Sequence, residues 1–239
     1  MGVHGLSPLI DKLERLAKLN DADRSLLATL PMTERAYGPS HYLVRDGKPV
    51  NECCVLVSGF ACRHKLAANG GRQIVSFHLP GDMLDLQHVL LDRADHNVET
   101  ITDARVAWIP KVDLRRVAAE SARIGAAFWR DTLIDASIFR EWVLNVGRRD
   151  AKTRVAHMLC EFAARCETAG LGSPQFFRLP MTQEQVADAT GLTSVHVNRM
   201  LRALERDGAI TRDRREIRIS DWSAMRRIAD FDAAYLHAA

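Results

Sequence analysis

A chain of 239 residues, 47% hydrophobic and 26% charged, is long enough for one large or two ordinary domains and apolar enough to bury a core. It has no apolar run near the roughly 18 residues of a membrane span, its charged start MGVHGLSPLIDKLERL is unlike a signal peptide, and its five cysteines are too few for a disulfide framework, so a cytoplasmic protein with reduced thiols and no membrane partner is expected. The net charge of +3 is uneven: residues 1–147 balance 18 basic against 18 acidic side chains, whereas residues 148–227 carry 15 against 10, a modest sign of a polyanionic partner.

Residues 7–18 and 21–30 read as two short amphipathic helices, the second capped by Asp21 or Asp23. From about 36 to 110, short apolar runs such as CCVLVS, QIVSFHL and RVAWIP alternate with glycine-bearing turns. That texture predicts antiparallel strands in a small sandwich or barrel, with Asn69-Gly70-Gly71 as a hairpin turn. Alternation along CCVLVS sends one of Cys53 and Cys54 inward and the other outward. An outward Cys54, or Cys62, is the candidate redox trigger, provided its thiolate is stabilised. Cys160 and Cys166, six apart on a helix, read as core. His64, His78, His88 and His96 lie near Asp82, Asp85, Asp92 and Asp95, but nothing in their spacing singles out a metal site, and they read as solvated loop charges.

Residues 111–148 are helical again. The apolar positions of 124–146, among them Phe128, Ile134, Ile138 and Trp142, spread too widely for one core-facing stripe. They predict a helix of about 36 Å with two partners, the barrel and the same helix of a second subunit. Gly147-Arg148-Arg149-Asp150 is a hinge, residues 151–167 a helix, and ETAGLGSP (167–174) a linker.

The stretch MTQEQVADATGLTSVHVNRML then poses a choice between one flawed helix and two short ones. Thr182 and Gln185 fit a capping box, and Gly191 supplies the left-handed residue of a tight turn. Thr193 or Ser194 caps a second helix, whose Val197, Leu201 and Leu204 face inward. This is a helix-turn-helix. Ser194, Val195, His196, Asn198 and Arg199 are the candidate base-contacting residues, Arg199 suited to guanine and Asn198 to adenine. Thr182, Gln183, Thr193 and Arg202 suit phosphates, as do Arg212, Arg214 and Arg215 at the tip of a hairpin over 209–220. In the tail, Phe231, Tyr235 and Leu236 are placed to pack back on their own domain.

The order of elements closely resembles the Crp/Fnr family of bacterial transcription regulators over nearly the whole chain. LVRDGKPVNECCVLVSGFACRHKL with GGRQIVSFHLPGDML looks like its cyclic-nucleotide-binding-type barrel, and MTQEQVADATGLTSVHVNRMLRALERDGAI like its DNA-binding head. The resemblance implies an α+β fold: a sensor domain over 1–120 with an antiparallel jelly-roll barrel, a dimerisation helix over 121–148, and a winged helix-turn-helix over 149–239. It also implies a homodimer on an inverted-repeat operator, with double-stranded DNA, a second copy and RNA polymerase as partners.

Cyclic-AMP-binding members carry Gly-Glu and Arg-Ser pairs where this chain has Asp85-Leu86 and His96-Asn97. These four residues mark a candidate effector pocket that is not expected to take cyclic AMP. No cysteine precedes Cys53, so the N-terminal iron–sulfur cluster of the family's oxygen sensors is not expected, and no other cofactor is indicated. Many relatives have glutamate at the position of Val195, whereas Ser194 and Arg199 fit family contact positions. The competing reading is a signal-binding or redox module acting through protein contact. An enzyme is disfavoured, because no nucleophile motif or phosphate loop is present.

Overall fold

The computed structural model describes residues 5–237. It divides into two compact units, one holding residues up to His64 and Phe77–Ala136, the other Lys65–Ser76 and Ser137–His237.

In chain order, helices α1 (Ser7–Leu16) and α2 (Asp21–Ala28) precede strands β1 (Thr33–Tyr37), β2 (Tyr42–Val44), β3 (Glu52–Ser58), β4 (Ala61–Leu66), β5 (Arg72–His78), β6 (Asn97–Thr100) and β7 (Ala104–Pro110). Helix α3 (Lys111–Glu120) follows, then the long α4 (Ala122–Arg148). The cap of α2 is Asn20, one residue before the expected aspartates, and Asp23 closes the box by accepting from the Asn20 N–H. Two antiparallel sheets form, ordered β1-β7-β3 and β2-β6-β4-β5. Their shared core contains Val44, Cys54, Leu56, Ala61, Val98 and Val106. The opposite face of β3 and β7, with Cys53, Val55, Ala107 and Ile109, packs against Leu9, Leu13, Leu27, Leu114, Ile124 and Phe128 of the helices. The β1-β7-β3 sheet is therefore a middle layer. Gly81, at φ +93°, lets the turn after β5 approach α1: a Cβ there would sit 2.6 Å from the Pro8 carbonyl oxygen.

That layering corrects the expectation for the cysteines. Strand alternation does send Cys53 and Cys54 to opposite sides, but both sides are covered, and both thiols are fully buried. Cys62 is 1% exposed.

The second unit contains α5 (Ala151–Thr168), α6 (Gln183–Thr190), α7 (Ser194–Arg206) and α8 (Trp222–Ala229). Its sheet has three strands, β8 (Phe176–Arg178), β9 (Ile210–Asp213) and β10 (Glu216–Ile219), ordered β8-β10-β9. The hairpin expected over 209–220 thus gains a third strand just after the linker, too short for its alternation to be read. Phe231 and Leu236 are buried and the Tyr235 hydroxyl donates to Glu161 Oε2 at 2.8 Å, so the tail packs onto its own unit.

Candidate nucleic-acid interface and sensor region

The bend at residue 191 is built from the residues that suggested it. Thr182 Oγ1 accepts from the Gln185 N–H at 3.1 Å and Gln185 Oε1 accepts from the Thr182 N–H at 2.9 Å, which starts α6. Gly191 ends it at φ 64°, ψ 38°. Arg154 of α5 donates to the Thr190 carbonyl at 2.8 Å, setting a cation at the negative end of α6. Of the two candidate caps of α7, Thr193 is used: its hydroxyl accepts from the His196 N–H at 3.2 Å. Val197, Leu201 and Leu204 are buried beneath.

The outer face of α7 is open. Val195 is 80% exposed, Ser194, Arg199 and Arg202 are exposed, and His196 and Asn198 are half-buried. Gln183, Ser194, Val195, Asn198, Arg199, Arg202 and Arg206 line one shared concavity, and Thr182 and Thr193 are exposed beside it at the helix starts. Arg206 was missed from the sequence, although 199, 202 and 206 follow helical spacing on one face. Arg214 stands exposed at the wing tip with φ 53°, followed by exposed Arg215. Arg212 differs from the expectation. It lies on β9 below the tip, and its guanidinium donates to Glu205 Oε2 at 2.7 Å, which also lowers the Glu205 pKa. It ties the wing to α7.

On α4 the apolar positions divide between two faces, but not as expected. Phe128, Ile138 and Trp142 are buried in their own chain and Ile134 is half-buried. The Trp142 N–H donates to both carboxylate oxygens of the buried Glu161 at 3.0 Å. One stripe runs through Ala126, Trp129, Leu133, the half-buried Ala136, Arg140, Val143 and Gly147, spaced alternately three and four residues apart, with Trp129 63%, Leu133 51% and Val143 60% exposed; Phe139 and Leu144 are exposed as well. A stripe with this period along a 27-residue helix has the spacing of a coiled-coil seam.

In the barrel, Asp85 is fully buried, accepting from the Cys54 N–H at 2.8 Å, and Asn97 Oδ1 accepts from the Asp46 N–H at 3.1 Å. Both hold backbone in place. Leu86 and His96 are buried as well. Burial, followed by the Asp85 carboxylate, pushes the Cys54 thiol pKa up, the reverse of what a thiolate trigger needs. Cys160 and Cys166 are buried, each with its pKa pushed up to about 12 by burial. The four barrel histidines are not solvated: His64, His78, His88 and His96 are all at most 5% exposed.

Residues 34–121 match the family described as a cyclic nucleotide-binding domain and residues 153–228 a Crp-like helix-turn-helix domain. The chain is 30% identical to the nitrogen fixation regulation protein FixK of Rhizobium meliloti, over 84% of this chain and 89% of that protein. To the transcriptional activator protein FnrL of Cereibacter sphaeroides it is 27% identical, over 88% and 87% of the two chains. The structure of FixK2 from Bradyrhizobium japonicum superposes with a TM-score of 0.78 at 26% identity, covering 85% of this chain and 100% of that one. Among the described residues no helix is long and apolar enough to cross a membrane.

Proposed function

The chain belongs to the Crp/Fnr family of bacterial transcription regulators, and on that premise we propose that it is a sequence-specific DNA-binding regulator acting as a homodimer on an inverted-repeat operator. The observation that carries this reading is the exposed outer face of α7, where Ser194, Val195 and Arg199 stand open beside Asn198 while the opposite face is buried. Arg199 offers a rigid fork of donors for the O6 and N7 edge of guanine, and Asn198 a donor and acceptor for adenine. Val195 has only a methyl contact with thymine to offer. Gln183, Arg202 and Arg206 flank these residues as phosphate contacts, with Arg214 and Arg215 reaching the backbone from the wing. The seam on α4 is the subunit interface. A symmetric pair of α7 helices about 34–36 Å apart then reads two half-sites one helical turn apart. The barrel is the domain in which a signal is received, and the burial of Cys54 and Cys62 speaks against a thiol as its receiver. RNA polymerase is the further partner that family membership suggests.

Selection of bound sequences from a random duplex pool by the full chain tests the reading. It should return a palindrome bound with an affinity that falls steeply as salt rises. Arg199→Ala should lose about 1–3 kcal/mol of discrimination at one base pair. Arg214→Ala should weaken all sequences alike and reduce the salt slope by about 1. No enriched sequence, or two variants that weaken specific and random DNA equally, would refute these roles.

A further inference from the structure

Within the barrel, the 3₁₀ turn Leu86–Val89 and the approach to β6 bring together three residues that the sequence spaces irregularly. His88, Asp95 and His96 each offer one ligand atom, all within 4.8 Å of one another. His88 is fully buried and His96 is 5% exposed, while the Asp95 side chain is 77% exposed. The two imidazole rings are stacked, 5.4 Å between centroids and 12° between planes. Asp85 Oδ2 lies 3.4 Å from His88 Nδ1, and Asp95 Oδ1 lies 2.6 Å from His96 Nδ1. The Asp85 carboxylate at Nδ1 of His88 keeps the proton there and leaves His88 Nε2 as the lone-pair side, the arrangement by which carboxylates orient metal-binding histidines.

The two Nε2 atoms are not used alike. His96 Nε2 lies 3.3 Å from the Gln87 side-chain nitrogen, whereas His88 Nε2 is buried with no hydrogen-bond partner. A buried polar nitrogen without a partner is unfavourable and calls for an explanation. We propose that His88, Asp95 and His96 form a site for one divalent first-row transition-metal ion, open to solvent on the Asp95 side. Two imidazoles and a carboxylate suit borderline ions such as Zn²⁺, Co²⁺ or Fe²⁺ and leave room for water on the ion. Ligand atoms around such an ion stand about 3.3 Å apart, given bonds of about 2.0–2.2 Å, so closure takes only a modest shift, available to the exposed Asp95. The site concerns the barrel alone and does not depend on how the chain meets DNA.

The full chain, stripped of metal and with all cysteines retained, can be titrated with Co²⁺ and followed by absorption, then challenged with Zn²⁺. The expected result is one ion per chain, a spectrum of nitrogen and oxygen ligation without the strong thiolate-to-cobalt band, and displacement by Zn²⁺. Asp95→Asn and His96→Gln should each weaken binding by at least about tenfold. Because Asp95 is exposed, its variant keeps the test meaningful even where a buried histidine cannot be changed without loss of fold. Absence of saturable binding to the folded chain, a thiolate band, or affinity unchanged by either substitution would overturn the site.

Discussion

The seam on α4 makes the most direct quantitative demand on the molecule. Trp129 is 63% exposed in a single chain. An indole side chain of about 200 Å² therefore leaves about 120 Å² open, worth about 3 kcal/mol if wholly covered, at about 25 cal/mol per Å². A two-fold dimer counts the residue twice, and covering half of each indole gives about 3 kcal/mol across the interface. Trp129→Ala should then raise the dimer dissociation constant about a hundredfold. Sedimentation equilibrium over a concentration series measures this, with circular dichroism confirming that the variant is folded. Trp142→Phe is the counterpart on the other face. It removes the N–H that serves the buried Glu161, so it should lower stability by about 1–3 kcal/mol and leave the dissociation constant unchanged. A folded Trp129→Ala that dimerises as tightly as the parent, or a Trp142→Phe that dissociates while keeping its stability, would refute the division of α4 into these two faces.

Gly191→Ala should cost about 1–2 kcal/mol in urea unfolding, because the added Cβ meets Val146 and Arg154 only at 3.4 and 3.5 Å and the penalty comes from φ +64°; a neutral or stabilising substitution would show that the turn is not strained. Stability should also fall as pH drops from about 6.5. Burial and then Arg149 push the His157 pKa down to about 3, although Glu141 lies 3.3 Å away, so between those values the unfolded chain binds the extra proton. His96 acts in the same direction, and His157→Gln should flatten the slope; a slope unaltered by that change would remove His157 as its source.

Where local chemistry sets the outcome, the sequence was readable. The Thr182–Gln185 box, the glycine at 191 and the apolar row Val197, Leu201 and Leu204 each follow from the residue type and its neighbours within one or two turns, and α6 and α7 form where these signals stand. The errors share a different cause: they depend on what covers a surface from elsewhere in the chain. Period-2 alternation correctly separates Cys53 from Cys54, but it contains no information that the second sheet covers the Cys54 side while the helices cover the Cys53 side. Likewise, apolar width on α4 indicates two partners without saying which residues meet which. Side-chain size is a poor guide there, since Phe128, Ile138 and Trp142 are buried while Trp129, Leu133, Phe139, Val143 and Leu144 stand open.

The heptad spacing of Ala126, Trp129, Leu133, Ala136, Arg140, Val143 and Gly147 is the finer signal, because alternating steps of three and four keep these positions on one stripe of the helix. The histidines illustrate the same limit in its strongest form. His96 follows His88 by eight positions, a spacing that would put both on one face of a helix or a strand but about 12 Å or more apart, and only the turn between them brings the ring centroids to 5.4 Å. Burial of four histidines in one small barrel is itself informative, since each neutral ring must find its hydrogen-bond partners inside or remain unsatisfied. His88 and His78 share one arrangement, Nδ1 facing a buried carboxylate and Nε2 with nothing to meet. What sets His88 apart among the described residues is the second histidine and the exposed carboxylate gathered beside it, and these, rather than the number of histidines, separate a ligand-binding arrangement from ordinary core packing.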